Sequence, residues 1–172
     1  MSVIRGLARE HAAFTQLIKR LEASAVGDEK AARRDVRNTL LILLSALDKH
    51  EKVEDIVFGN PSYASREDAK RIIDQVEFQH QEIQELRLEF SDSIAFSGVV
   101  PIQRLQFLVK RMADSLRVHF KTEEECLWPH YENFSRSLDI SIRRRLDQSV
   151  KALESDIVAN SMAISEYLEG RK

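Results

Sequence analysis

Asp48-Lys-His50-Glu-Lys-Val-Glu54-Asp55 is the stretch from which the rest of the chain can be read. His50 and Glu54 are four residues apart, so on an α-helix they share one face, one turn apart. Working outward, Val36, Leu40, Leu43 and Leu47 lie before them and Val57 after, in alternating steps of 4 and 3. The two polar side chains therefore occupy the core register of an amphipathic helix. Gly27-Asp28 supplies its start, and the breaker cluster Gly59-Asn-Pro61-Ser its end. An imidazole and a carboxylate on a face destined for the interior need a partner that offsets their desolvation.

The remaining chain reads the same way. A first helix, about Ser2 to Ala25, has the stripe Ile4, Leu7, His11, Phe14, Ile18, Leu21 and Ala25. A third opens at a capping box, Ser65-x-x-Asp68, and carries Ala69, Ile73, Val76, His80, Ile83 and Phe90 before Gly98. A fourth starts at Pro101 and carries Leu105, Val109, Met112, Leu116, His119, Glu123 and Cys126, with Trp128-Pro129 as its stop. A looser stretch, 130–137, leads to a histidine-free fifth helix from Leu138 to Glu169. The expected fold is all-α: an up-down antiparallel four-helix bundle over residues 1–130, with an additional C-terminal helix in 131–172 that packs on the bundle or forms an oligomer or protein contact.

Composition agrees. With 172 residues the chain suits one domain, and its 5 glycines and 3 prolines leave long helices uninterrupted. A net charge of −2 favours neither nucleic acid nor an anionic membrane surface as a partner. The single cysteine rules out an intrachain disulfide. No apolar run approaches a membrane span, and the N-terminus lacks a signal-peptide core, so the expected location is cytoplasmic. Arg143-Arg-Arg145 reads as a solvated helix face.

The two halves of the bundle repeat one another. His11 to His50 and His80 to His119 are both 39 residues, and His119 and Glu123 repeat the spacing of His50 and Glu54. A single offset of 69 maps 11 to 80, 50 to 119 and 54 to 123. The midpoints between successive histidines fall at or close to the Gly27-Asp28, Gly59–Ser62 and Gly98–Pro101 breaks, so all four can share one layer of an up-down bundle. Four imidazoles and two carboxylates in one buried layer call for bound cations. Two ions sharing two carboxylates fit the donor count better than one ion with six ligands. The metal-binding residues are then His11, His50, Glu54, His80, His119 and Glu123. His130 reads as a surface residue beyond Pro129, and Cys126 as a small core residue. Glu10, Glu51, Glu77, Gln84, Glu124 and Glu125 are supporting or solvated neighbours.

These residues resemble the haemerythrin-like family of HHE cation-binding proteins. The likeness covers about residues 4–130 and rests on His11, His50-Glu-Lys-Val-Glu54, His80 and the run His119-Phe-Lys-Thr-Glu123-Glu-Glu-Cys-Leu-Trp-Pro129. It implies a non-haem di-iron centre with an oxo or hydroxo bridge. By that likeness His11 and His50 bind one iron, His80 and His119 the other, and Glu54 and Glu123 bridge both. The chain departs from the oxygen carriers of the family. They have a further histidine four residues from that of the third helix, where this chain has Val76 and Gln84. They also have an aspartate five residues after the fourth-helix histidine, where this chain has Glu123 at four. The resemblance implies a protein that binds or senses iron, dioxygen or nitric oxide. The alternative is a di-iron oxidase, peroxidase or nitric-oxide-handling enzyme using the same centre. Manganese or zinc would also suit these ligand types.

Overall fold

The computed structural model describes residues 3–95, 100–151 and 153–170, and all regular structure among them is helical. Helix α1 spans Val3–Ser24, α2 Glu29–Phe58, α3 Pro61–Ala64, α4 Glu67–Ala95 and α5 Ile102–Thr122. A π-helical turn, Glu123–Leu127, joins α5 to α6, Trp128–Ser137. Helices α7, Ile140–Lys151, and α8, Leu153–Leu168, complete the chain. No helix among the described residues is long and apolar enough to cross a membrane.

Local chemistry sets the breaks. Gly27 takes a positive φ of 116°, open to glycine at little cost, and the Asp28 carboxylate accepts from Ala31 N–H at 3.1 Å to start α2. Asn60 caps α3, with Pro61 at its first position. Ser65 ends α3 instead of capping α4, which begins at Glu67. The expected stop at Gly98 lies outside the described residues.

Cross-helix bonds give the directions of the long helices. Glu22 pairs with Arg117 and Ala25 C=O accepts from Gln106, while His11 meets Glu123, so α1 and α5 are antiparallel. Arg87 reaches Asp48 and Glu51 while His80 faces Glu54, so α2 and α4 are antiparallel. Glu89 with Arg104, and Gln79 with Thr122, set α4 against α5 in the same sense. Helix α1 also packs along α2.

The apolar interior falls into two clusters. One includes Phe14, Leu17, Leu43, Leu47, Ile83, Met112 and Leu116. The other includes Leu7, Val53, Val57, Tyr63, Val76, Leu127 and Trp128. On α1, α2 and α4 the histidine lies between a member of one cluster and a member of the other. His11, for example, stands between Leu7 and Phe14, and His80 between Val76 and Ile83. The polar layer is thus sealed above and below by hydrocarbon.

Beyond the fourth long helix the structure corrects the sequence reading. Pro129 does not stop the helix, and 130–137 is not loose. The chain widens into the π turn, with Trp128 N–H donating to Glu123 C=O, and Pro129 then sits in the first turn of α6. A proline inside a regular helix collides with the carbonyl four residues back; at a first turn, after a widened one, that conflict is relieved. The extra residue in the π turn also rotates the register. Leu127 turns inward and Cys126 outward, so Cys126 is exposed and not a core residue. His130 lies on helix α6, partly buried, with Nδ1 3.0 Å from the Tyr63 hydroxyl.

The expected C-terminal helix is helical on both sides of residue 152, which lies outside the described residues, and its two parts are labelled α7 and α8. Arg143 is not simply solvated: its guanidinium donates to the carbonyls of Ser135 and Arg136 at 3.1 and 2.7 Å, closing the end of α6. Helix α8 lies in the groove between α1 and α2, burying Leu153, Ile157, Asn160 and Ile164. Gly6 makes this approach close: a Cβ there would stand 3.0 Å from Ile157 Cγ2. Truncation of Ile157 to alanine is expected to cost about 2–5 kcal/mol by denaturant unfolding, as for other buried aliphatic side chains. In the native protein Cys126 should react with a thiol reagent at close to the unfolded chain's rate. Protection of that thiol would contradict the rotated register.

Candidate metal centre

All six residues expected from the sequence converge. His11 comes from α1, His50 and Glu54 from α2, His80 from α4, His119 from α5 and Glu123 from the π turn. Their inward atoms form two overlapping groups, His11, His50, Glu54 and Glu123, and Glu54, His80, His119 and Glu123, each with all ligand atoms within 4.8 Å of one another. The carboxylates belong to both groups.

The individual atoms show how. Glu54 points Oε1 at His50 Nε2, 3.4 Å away, and Oε2 at His80 Nε2, 3.6 Å away. Glu123 points Oε2 at His11 Nε2, 3.0 Å, and Oε1 at His119 Nε2, 2.9 Å. Each carboxylate therefore spends one oxygen on each half. Within a half the imidazole nitrogens face each other: His11 Nε2 to His50 Nε2 is 3.2 Å, and so is His80 Nε2 to His119 Nε2.

The surroundings fix which ring nitrogen carries the proton. Nδ1 of His11 lies 2.8 Å from Glu124 Oε1, and Nδ1 of His50 lies 3.0 Å from Glu10 Oε2. A carboxylate can only accept, so both Nδ1 atoms are donors, and in the neutral rings both Nε2 atoms present lone pairs inward. Acceptor then faces acceptor across 3.2 Å, with carboxylate oxygens beside them. All four oxygens of Glu54 and Glu123 are buried with no hydrogen-bond donor. Among the described residues the ion-pair partners of Glu54 and Glu123 are histidines, with no lysine or arginine. Protons can supply part of the missing positive charge, and divalent or trivalent cations can supply all of it while using every lone pair.

Without metal, the site resolves its charge by protonation. Burial, with the Glu123 charge beside it, pushes Glu54 up to about 7. Burial acts to lower His50, yet Glu54, Glu10 and Glu123 outweigh it and hold the imidazole well above its usual range. His80 is likewise raised, by Glu54 against the opposing effect of burial. Burial would raise Glu123, but His119, His11 and His50 hold it well below the usual carboxylate range.

The enclosing shell is aromatic. The His11 ring packs against Phe120 and Trp128, with centroids at 4.1 and 4.6 Å, and Phe14 meets His50 edge-on. On the other side a pocket of about 80 Å³ reaches Glu54 and His80, lined also by Phe58, Ile73, Val76 and Leu127. Arg87 lies alongside, tying α4 to Asp48 and Glu51 of the opening stretch.

Two supporting residues carry more than their sequence signal suggested. Glu10 is fully buried, with one oxygen on His50 and the other accepting from Asn160 at 2.7 Å. Asn160, on α8, was not read from the sequence. Its signal was present, as a polar residue three after Ile157 and four before Ile164 on an otherwise apolar stripe. Glu124 is half-exposed yet reaches His11, so His11 is held between consecutive carboxylates of the π turn. Glu77 stays at the pocket wall, and Gln84 accepts from Arg87. No protein-family model matches the chain, nor does any curated protein or solved structure.

The protonation pattern gives a signed pH dependence. A carboxylate raised from 4.5 to about 7 makes the metal-free protein lose stability as pH rises across that window. The raised His50 and His80 contribute stability that is present below their ordinary 6.5 and lost as pH climbs through their folded values. Glu123 acts oppositely, but only as pH falls below its ordinary 4.5. Metal binding needs deprotonated ligands and strengthens with pH. The gap in Tm between metal-loaded and chelator-treated protein should therefore widen from about pH 5 to pH 8 by calorimetry. A gap that narrows with pH would contradict this account of the charge.

Proposed function

We propose that this chain is a non-haem di-iron protein of the haemerythrin-like kind, built as an up-down four-helix bundle of α1, α2, α4 and α5 with α8 laid over the α1–α2 seam. The observation that carries this reading is the pair of carboxylates, Glu54 and Glu123, each dividing its two buried, donor-less oxygens between two histidine pairs. One ion would be held by His11 and His50, the other by His80 and His119, with both carboxylates spanning the two. The donor set of imidazole nitrogen and carboxylate oxygen suits iron and is shared by manganese and zinc; the choice of iron comes from the family likeness.

An iron pair, when bound, supplies redox-active positions able to accept a small ligand such as dioxygen or nitric oxide. The chain's own contribution is to hold it. The four Nε2 atoms point inward, the carboxylates would neutralise charge from both sides, and Phe14, Phe120 and Trp128 keep bulk water from the His11–His50 side. The pocket at His80 has room for a diatomic ligand or small anion and not for a large organic substrate. That size supports binding or sensing of a small molecule as the protein's task.

Protein purified aerobically from iron-supplemented cells is expected to carry close to two irons per chain and to show oxo-to-iron charge-transfer absorption. Iron near zero, or a single zinc, overturns the reading. His50→Ala with Glu54→Ala should lose the metal and the metal-dependent part of the Tm together. Stoichiometric uptake of nitric oxide or dioxygen without turnover is the expected behaviour. Sustained consumption of peroxide or nitric oxide under reductant would make the centre catalytic instead.

A further inference from the structure

The two halves of the centre differ in what stands behind their imidazoles. In the His11–His50 half both Nδ1–H groups donate to carboxylates, Glu124 and Glu10, and Glu10 is itself fixed by Asn160. In the other half His119 Nδ1 is buried with no partner. His80 is 19 % exposed, whereas His11, His50 and His119 are exposed by 2 % or less. The small pocket touches His80 and none of the other three.

The internal repeat sharpens the contrast. The offset of 69 that relates the ligands takes Glu10 to Gln79 and Glu124 back to Asp55. Gln79 spends its amide N–H on the Thr122 hydroxyl at 3.0 Å, and its own buried oxygen finds no donor. Asp55, one methylene shorter than Glu124, lines the pocket. The ligands recur at the offset, and among the described residues the carboxylate bonds to their Nδ1 atoms are at His11 and His50 alone. A carboxylate behind a ligating imidazole fixes the ring and makes its inner nitrogen a stronger donor, and its loss typically lowers metal affinity by about 10- to 100-fold.

We infer that the centre consists of two unequal metal positions: a tight, resident one at His11 and His50, and a weaker, exchangeable one at His80 and His119, where a diatomic ligand or small anion enters through the pocket. This rests on the di-metal reading above. Metal-free protein titrated with cobaltous ion, followed by calorimetry and by the visible cobalt bands, separates the two claims. Two equivalents are expected, with dissociation constants at least about tenfold apart. Glu124→Gln, at a half-exposed position, should weaken the tighter step about tenfold and leave the weaker one unchanged. His80→Ala should abolish the weaker step and keep the tighter. Sodium azide should perturb the cobalt bands only once the second equivalent has bound. Two equal steps, loss of the tighter step in His80→Ala, or an azide response at the first equivalent would each overturn the inequivalence while leaving the di-metal reading intact. Uptake of one ion or none overturns both.

Discussion

The cost of burying charge governs this molecule. Two carboxylates and four imidazoles occupy a single layer, and Glu54, Glu123 and three of the histidines are almost wholly removed from water. Isolated, each ionised group would cost several kcal/mol to place there. Each is instead aimed at the others with its lone pairs inward. The apolar clusters on either side do not merely tolerate this layer; they enforce it. Hydrocarbon above and below limits water at the carboxylates to the small pocket beside Glu54, and the long helices deny them backbone donors, whose N–H groups are already used within each helix. What is left is a cavity of fixed acceptors, a shape that only positive charge completes.

The helical class and the six converging residues were legible because they depend on periodicity alone. His50 and Glu54 stand in register with Leu43, Leu47 and Val57, and a core-facing polar residue is visible whatever it later touches. The 39-residue spacings and the breaks at Gly27, Gly59 and Pro101 then place the four histidines at one level. Features that depend on a departure from 3.6 residues per turn were not legible. Nothing in Glu-Glu-Glu-Cys-Leu announces a π turn, and without it Cys126 counts as core and Pro129 as a stop. Arg143 was misread for a different reason: its partners are backbone carbonyls at the end of α6, and carbonyls have no sequence signature.

The π turn also bears on the site. Consecutive residues on a regular helix point about 100° apart and seldom serve one partner. Here Glu123 and Glu124 address the two nitrogens of the same imidazole, at 3.0 and 2.8 Å. A widened turn is a strained choice for a helix, and such turns concentrate at functional sites. In this chain it lies where the fourth long helix must deliver one carboxylate into the core and a second behind His11. At the end of the same turn Trp128 packs on the His11 ring and covers that side of the site, and Pro129 follows it in the first turn of α6.

The shared and unshared carboxylates of the two halves carry different constraints. Glu54 and Glu123 each serve both histidine pairs, so neither can change without affecting the whole layer. Glu10 and Glu124 each serve one histidine and stand outside the shared set. At the positions related to them by the 69-residue offset, Gln79 bonds Thr122 and Asp55 lines the pocket. Helix α8 strengthens the difference, since Asn160 reaches Glu10 and Ala46 C=O and so braces only the α1–α2 half. Thr39 with Tyr167, and Arg20 with the Leu168 carbonyl, hold the same helix to the same two partners further along. The C-terminal segment therefore bears on one half alone: through Asn160 it holds Glu10 behind His50, while in the other half His80 faces the pocket.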